Sequence, residues 1–398
     1  MRYLLDVVTS AQGVEHHVAL PQHHGVAGRS GAVADESAAR LLGAGGATLH
    51  VVDMRRNPLH LANATAVATL RRLISEVRPD VVHGHSSVGG AAARLAAWGQ
   101  PAPCIYTPNG LMTSRPAVAI ERVLGRGTDR FIAVSASEGE RVVALRLVPA
   151  SRVSVIPNGI DLDTGAPAAV GASGASGATG AAPVLRAQLG LAPGTPLVAT
   201  VARVAAQKAP EQFVRACAAV ARRRPDVHFL LVGLGPQQSR VDREVAAGRL
   251  TGRFHQIPHL EQAAAVMEQL DVFALLSRFE GGPYAPLEAM RAEVPVVLSD
   301  VVGNRDTVVH GSSGFLVPFG DSEAAADAIV NLLDDLALRA AVIRAATDQL
   351  RANFDVALMG QRLTGLYEEL AGSRRSTRRL PHPRSGNSSK RPDPSASQ

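Results

Sequence analysis

The sequence predicts an α/β protein made of two open parallel sheets in series, facing each other across a crevice. Three observations carry this. Short apolar runs of strand length alternate with longer helical stretches, and the alternation occurs twice, on either side of a Gly/Ala/Ser-rich interruption. The 398 residues, 46% of them apolar, suffice for two cores. Aromatics are only 4%, so those cores are mainly Ala, Val and Leu, which suits helices on sheets better than a thin β-sandwich.

The first half places strands at YLLDVV, ATLHVVD, DVVHGH, CIYTP, RFIAVS and VSVIPN, separated by helical segments such as Thr65 to Val77. Then comes APAAVGASGASGATGAAP, Ala166 to Pro183, which reads as a flexible linker or an inserted loop. The second half places strands at PLVATVAR, VHFLLVG, RFHQIP, VFALLS, VPVVLS and GFLVP. After Pro318 the run DSEAAADAIVNLLDDLALRAAVIRAATDQL is helical, with Asp321 or Ser322 as N-cap.

The formal charge of +6 is not spread over the chain. After Gly372 the Ser/Pro/Arg-rich tail holds seven of the 41 Lys/Arg and one of the 35 Asp/Glu, which leaves a body with 34 of each sign. A neutral body argues against a nucleic-acid partner. The tail reads as a solubilising end that cannot bury enough apolar surface to fold, or as a contact for an anionic lipid or polyanion. Two cysteines, Cys104 and Cys217, carry no pairing or zinc spacing, so a disulfide framework is excluded and a reducing cytoplasm fits. MRYLLDVVTS is too short for a secretory segment, and no window reaches about 18 apolar residues. A soluble or membrane-peripheral protein is expected.

Parallel sheets bind ligands outside the carboxyl ends of their strands, so polar residues just after strands are the candidates. RFEGGPYAPLEAM, Arg278 to Met290, follows VFALLS. Pro286 suits the first residue of a helix, with Glu280 on the preceding loop and Glu288 inside the first turn. Backbone N–H groups at Gly282 to Tyr284, with the helix N-terminus, suit a phosphate. Carboxylates accept hydrogen bonds from paired sugar hydroxyls. Together they suggest a nucleotide sugar; a pair of capping glutamates on a solvated loop is the plainer alternative. Arg203 and Lys208 follow another strand and fit a diphosphate clamp or an ordinary cationic surface. Gly233-x-Gly235-Pro236 ends a third strand without the full dinucleotide glycine pattern, which disfavours a dehydrogenase and fits a tight turn. Gly303, Asn304, Arg305 and Asp306 sit at a fourth strand-to-helix junction. Asp161-Leu162-Asp163 opens a linker rather than a cleft, and His16, His17, His23 and His24 lack HExxH spacing, so neither is read as a metal site.

In order and spacing, Arg203 with Lys208, VGLGP, SRFEGGPYAPLEAM, VPVVLSDVVGNRDTV and GSSGFLVP resemble the donor domain of retaining GT-B glycosyltransferases of family 4, the group 1 enzymes of bacterial polysaccharide and glycolipid synthesis. The resemblance implies two Rossmann-like α/β/α domains facing each other across a cleft. It implies an N-terminal acceptor domain over 1–160, a linker over 161–183 and a donor domain over 184–350. A helix over 351–372 would return to the first domain, before a basic tail over 373–398. Arg203 and Lys208 would hold the donor diphosphate, Glu280 the donor sugar and Glu288 the ribose. Gly281, Gly282, Pro283 and Tyr284 would line sugar and phosphate, with Gly233 nearby. TSAQGVEHHVA stands where a Gly-Gly-x-Glu loop is usual, with Gln12 for the first glycine. There Gly13 would approach the diphosphate and Glu15 would open the first helix. On the acceptor side, His85 and Asn109 are the candidates, while His83 fits a structural role. Asn109 stands in YTPNGL where many relatives have a histidine. Ala202 and Ala209 stand where glycines flank the Arg-x4-Lys clamp.

The resemblance further implies a metal-independent hexosyl transfer from a UDP- or GDP-linked sugar to a glycan or lipid-linked acceptor, with no cofactor. The leaving phosphate would itself take the acceptor proton. A nucleotide-sugar epimerase on the same fold and a non-catalytic nucleotide-sugar-binding subunit are the alternatives. Arg115, Arg122 and Arg126 share a face, beside Leu111 and Val118, if Arg115 to Leu124 is helical; that face suits an anionic membrane surface or plain solvent. The expected location is cytoplasmic, peripheral at the inner membrane face.

Overall fold

The computed structural model describes residues 2–11, 13–21, 42–55, 57, 60–163, 185–258 and 266–377. Gln12, His23, His24, the 166–183 segment and the tail beyond 377 lie outside them. The first half runs α1 (Arg2–Ser10), β1 (His17–Pro21), β2 (Thr48–Val52), α2 (Ala62–Val77), β3 (Val82–His85), α3 (Ser87–Ala97), β4 (Cys104–Thr107), α4 (Arg115–Leu124), β5 (Arg130–Ala133), α5 (Ala136–Ala144) and β6 (Val153–Val155). The second half runs α6 (Leu185–Gln188), β7 (Leu197–Val201), α7 (Pro210–Arg223), β8 (His228–Val232), α8 (Gln238–Ala247), β9 (Phe254–Ile257) and β10 (Val272–Leu275). It ends with α9 (Tyr284–Arg291), β11 (Val296–Ser299), β12 (Phe315–Val317), α10 (Ser322–Asp334), α11 (Leu336–Asn353) and α12 (Val356–Thr377).

In the second half all six apolar runs become strands of one parallel sheet, ordered β12-β11-β10-β7-β8-β9. Alternate residues serve opposite faces. Val198 packs into the core beneath α7 and α10, while Leu197 and Ala199 pack into the core that includes Leu287 and Met290 of α9. The strand order reverses between β7 and β10, so the loops leaving those two neighbours diverge and open a crevice at their carboxyl ends. Asp321 caps α10 by accepting from the Ala324 N–H at 2.9 Å, and Asp335 repeats the device for α11.

The first half holds a four-stranded parallel sheet, β3-β4-β5-β6, and a separate parallel pair, β1-β2. Here the structure corrects the sequence reading: YLLDVV is not a strand but lies in α1. A run of apolar residues fits either period. Tyr3, Val7 and Ala11, four apart and all buried, select the helical one. Likewise no helix opens at Glu15, which lies exposed before β1, its carboxylate 3.2 Å from His17 Nε2.

Two features near the chain's C-terminal end tie the halves together. Ile160 forms a parallel bridge with Asp355, donating to Phe354 O at 2.8 Å and accepting from Val356 N at 3.0 Å. From there α12 turns back onto the first sheet. Met359, Leu363, Leu366 and Leu370, at helical spacing, bury against Tyr3, Val7, Ile105, Ile132, Val134 and Ile156. Gly360 permits the crossing with α1, since a Cβ there would sit 2.3 Å from the Ser10 carbonyl oxygen. In the first half a buried ion pair fixes α4 to α3. Arg94 holds Glu121 through two bonds of 2.7 and 3.0 Å, and the Tyr106 hydroxyl adds a third at 3.2 Å.

Candidate functional site

The loop after β7 meets the loop after β10 at the point where the strand order reverses. Lys208 Nζ lies 2.7 Å from Glu280 Oε1, with Glu280 only 5% exposed. The two loops are also joined through backbone. Arg278 N donates to Gln207 O at 2.9 Å, and the Gln207 side chain adds a bond from Nε2 to Phe279 O at 3.2 Å. The third loop, after β11, closes from the other side: Glu280 N donates to Val302 O at 2.9 Å. Gly303, at φ +87°, lies where a Cβ would be 2.6 Å from Gly281 O, so no side chain fits between these loops.

Arg203 is exposed, and its guanidinium makes no hydrogen bond or ion pair among the described residues. Gly233, at φ +145°, is required by close approach, as a Cβ would lie 2.0 Å from Ala202 O. Lys208 leads into α7 through Ala209, buried in the left-handed region at φ +44°; a glycine there would avoid a cost of roughly 1 kcal/mol. The helix after Glu280 starts earlier than the sequence suggests. Pro283 is the N-cap of α9 and Pro286 its third residue, which puts half-buried Glu288 on the second turn. Pro283 has no N–H to offer a ligand. Those of Gly281 and Gly282 make no bond among the described residues.

The first half presses directly on this loop. Asn109 and Gly110 form a left-handed turn after β4, at φ +54° and +117°. Asn109 is exposed, and asparagine tolerates this backbone better than most residues. A Cβ on Gly281 would lie 2.6 Å from Gly110 N. Asn158, after β6, donates to Gly282 O at 2.6 Å. The Tyr284 hydroxyl donates to Asp6 of α1 at 2.9 Å. Ser137 at the start of α5 bonds Asp306 through its N–H at 3.2 Å and through its hydroxyl, and the same hydroxyl accepts from Gly303 N at 2.9 Å.

His85, at the end of β3, packs 4.0 Å from the His83 ring and 5.3 Å from Tyr3, and its buried Nδ1 has no hydrogen-bond partner among the described residues. Burial pushes its pKa down to about 4, so it is neutral at physiological pH. His83 is structural, held by the Tyr367 hydroxyl at 2.7 Å and the Thr107 hydroxyl at 2.8 Å. Gly13 stands apart: it is exposed at φ +74°, and a Cβ there would meet nothing within 4 Å. The Asp161 carboxylate accepts from the Asp163 N–H at 2.9 Å, a local turn.

Sequence reasoning missed Asn158, the Asp6 contact and Glu138. The Ser135-x-x-Glu138 spacing of a capping box was the available signal, and Ser135 does cap α5 through Glu138 N at 3.2 Å. The fully buried Glu138 carboxylate accepts from Val134 N at 2.9 Å and Gly110 N at 3.2 Å. Burial, reinforced by Asp306, outweighs these bonds and raises its pKa to about 7. Because the folded value exceeds the unfolded one, Glu138 contributes stability below about pH 4.5 that is lost as pH rises through 7. The loss amounts to about 3 kcal/mol. Glu138→Gln is therefore expected to gain on wild type in thermal unfolding between pH 5 and 8. A constant difference across that range would refute the assignment.

The Glycosyl transferases group 1 family model matches residues 182–349, and Glycosyltransferase Family 4 matches residues 7–164. The chain is 28% identical over 301 residues to the UDP-Gal:alpha-D-GlcNAc-diphosphoundecaprenol alpha-1,3-galactosyltransferase of Escherichia coli, covering 71% of this chain and 74% of that protein. It is 30% identical over 302 residues to the D-inositol 3-phosphate glycosyltransferase of Pseudarthrobacter chlorophenolicus, covering 70% and 68%. The structure of Anabaena Alr3699/HepE in complex with UDP and glucose superposes with a TM-score of 0.74 at 20% identity, covering 92% of this chain and 95% of that one. With the GT-B architecture in place and both halves matched, the chain belongs to the glycosyltransferases that join a family 4 N-terminal domain to a group 1 C-terminal domain.

Proposed function

We propose that this glycosyltransferase moves a hexosyl group, with retention and without a metal, from a nucleotide-diphosphate sugar to a glycan or lipid-linked acceptor. The observation that carries the reading is the Lys208–Glu280 pair where three donor-domain loops converge. Cleaving the bond from sugar C1 to phosphate leaves positive charge on the ring and negative charge on the diphosphate. Arg203, Lys208 and the N-terminus of α9 supply positive potential for the latter. Glu280 holds donor hydroxyls, with Lys208 orienting the buried carboxylate. Glu288 serves the ribose, and His85 and Asn109 face the acceptor. The acceptor oxygen bonds to C1 as the diphosphate oxygen departs, and the acceptor proton passes to that leaving oxygen. No cofactor enters this scheme. The seam formed by Asn109, Ser137 and Asn158 against the donor loop supports exclusion of water.

UDP-glucose bound to HepE and the lipid-linked acceptor named for the Escherichia coli relative support the substrate classes. Calorimetry against a panel of UDP- and GDP-sugars tests the reading. At least one is expected to bind, and binding of none would sink it.

We also propose that the enzyme works at the cytoplasmic face of a membrane. Among the described residues no helix is long and apolar enough to cross one. On α4 the apolar neighbours named from sequence are wrong, because Leu111 and Val118 are buried. Met112, Ile120 and Val123 are exposed instead, as are Arg115, Arg122 and Arg126. Liposomes with anionic lipid are expected to co-sediment the enzyme, and the R115A/R122A/R126A variant to lose roughly 3 kcal/mol of that affinity. Equal partitioning onto neutral liposomes would end the idea.

A further inference from the structure

We propose that Glu138 is a positioning residue that sets the donor-gripping loop through the Asn109–Gly110 turn. The inference rests on the donor role of Glu280 proposed above. Glu138 lies outside the matched donor motifs, on the first turn of α5 in the other domain. Its two carboxylate oxygens have separate duties. One accepts from Val134 N at the end of β5, the other from Gly110 N after β4. The carboxylate thereby bridges two strand ends and stabilises a turn with two successive positive φ values.

That turn bears on the donor site by backbone alone. The position of a Gly281 Cβ is 2.6 Å from Gly110 N, 2.9 Å from Gly110 Cα and 3.0 Å from the Asn109 carbonyl carbon. Nothing flexible lies between them, so a shift of the turn passes to Gly281 and its neighbour Glu280. The residue before Glu138 works on the opposite flank. Ser137 bonds Gly303 N and Asp306, and Gly303 touches the Glu280 and Gly281 backbone. One short segment of the acceptor domain thus brackets Glu280 from both sides, which couples domain closure to the grip on the sugar. Glu138 touches no reacting atom in this scheme; it acts through Gly110.

Only a carboxylate accepts on both oxygens. In glutamine one becomes an NH₂ that cannot accept from an N–H, so Glu138→Gln breaks one link with little change in volume. The test uses full-length enzyme at pH 8 and measures unfolding temperature, UDP affinity by calorimetry, and kcat and KM with a donor the wild type accepts. A folded Glu138→Gln protein should bind UDP within about threefold of wild type while kcat falls roughly 10–100-fold. A kcat within about twofold of wild type overturns the inference, as does an equal loss in kcat and UDP affinity, which would mean general loosening. Should Glu138→Gln not fold, Gly110→Ala strains the same turn at φ +117° without touching α5. It should give the same split, and wild-type rates from it overturn the inference. Wild-type protein that binds UDP but transfers nothing overturns the underlying reading and this inference with it.

Discussion

Glu280→Ala is expected to lower kcat by about 10²–10³-fold while UDP binding persists. The side chain is 5% exposed and reaches Lys208 at 2.7 Å, so its removal deletes the carboxylate where the three loops meet. The backbone frame survives, because the Glu280 N–H to Val302 bond needs no side chain. Lys208→Ala should be the more destabilising of the pair. It strands the more buried charge, at a cost of about 3–5 kcal/mol, whereas Lys208 left alone keeps 18% of its side chain in water. Since the two act as a unit, the double variant should lose little more activity than either single one. Transfer at the wild-type rate in Glu280→Ala, or strictly additive losses, would show that the pair is only a surface-loop staple.

Gly281→Ala is the second large effect expected. The new methyl would overlap Gly110 backbone atoms at 2.6 and 2.9 Å, and neither can rotate away. Either the Asn109–Gly110 turn or the donor loop must move, which costs about 1–3 kcal/mol. A displacement near 1 Å at the proposed sugar site is expected to lower kcat by roughly 10²-fold. Gly365→Ala is the matched control. It lies inside α12 with nothing within 4 Å of the added methyl, and should leave activity unchanged. Unimpaired kcat in Gly281→Ala would mean that the seam is not maintained during turnover.

The second sheet was legible because most of its strands are largely apolar runs flanked by turn residues, the pattern of a strand covered on both faces; β9, FHQI at the sheet edge, is the half-polar exception. Asp321 was legible as a cap because its partner lies three residues away. YLLDVV was not, because the run fits both periods and the choice depends on α12, which arrives more than 350 residues later to cover Tyr3 and Val7. The apolar face of α4 was misassigned for a similar reason. Leu111 and Val118 are hidden by a core that includes Phe131, Val142 and Leu147, none of which is near them in sequence.

At the site, sequence placed Arg203, Lys208, Glu280 and Gly303 each just after a strand. Hydrophobic period and turn chemistry are local, and they suffice to locate strand ends. The pairing of those ends is not local. Lys208 and Glu280 are 72 residues apart, and they meet only because β7 and β10 are neighbours in a sheet whose order reverses between them. Glu138 and Gly281 are further apart and belong to different domains. So the sequence by itself determined an alternating α/β chain with polar residues at its strand ends. The tertiary structure alone decided which ends share a crevice, because strand order and domain docking are set by long-range burial that no local pattern encodes.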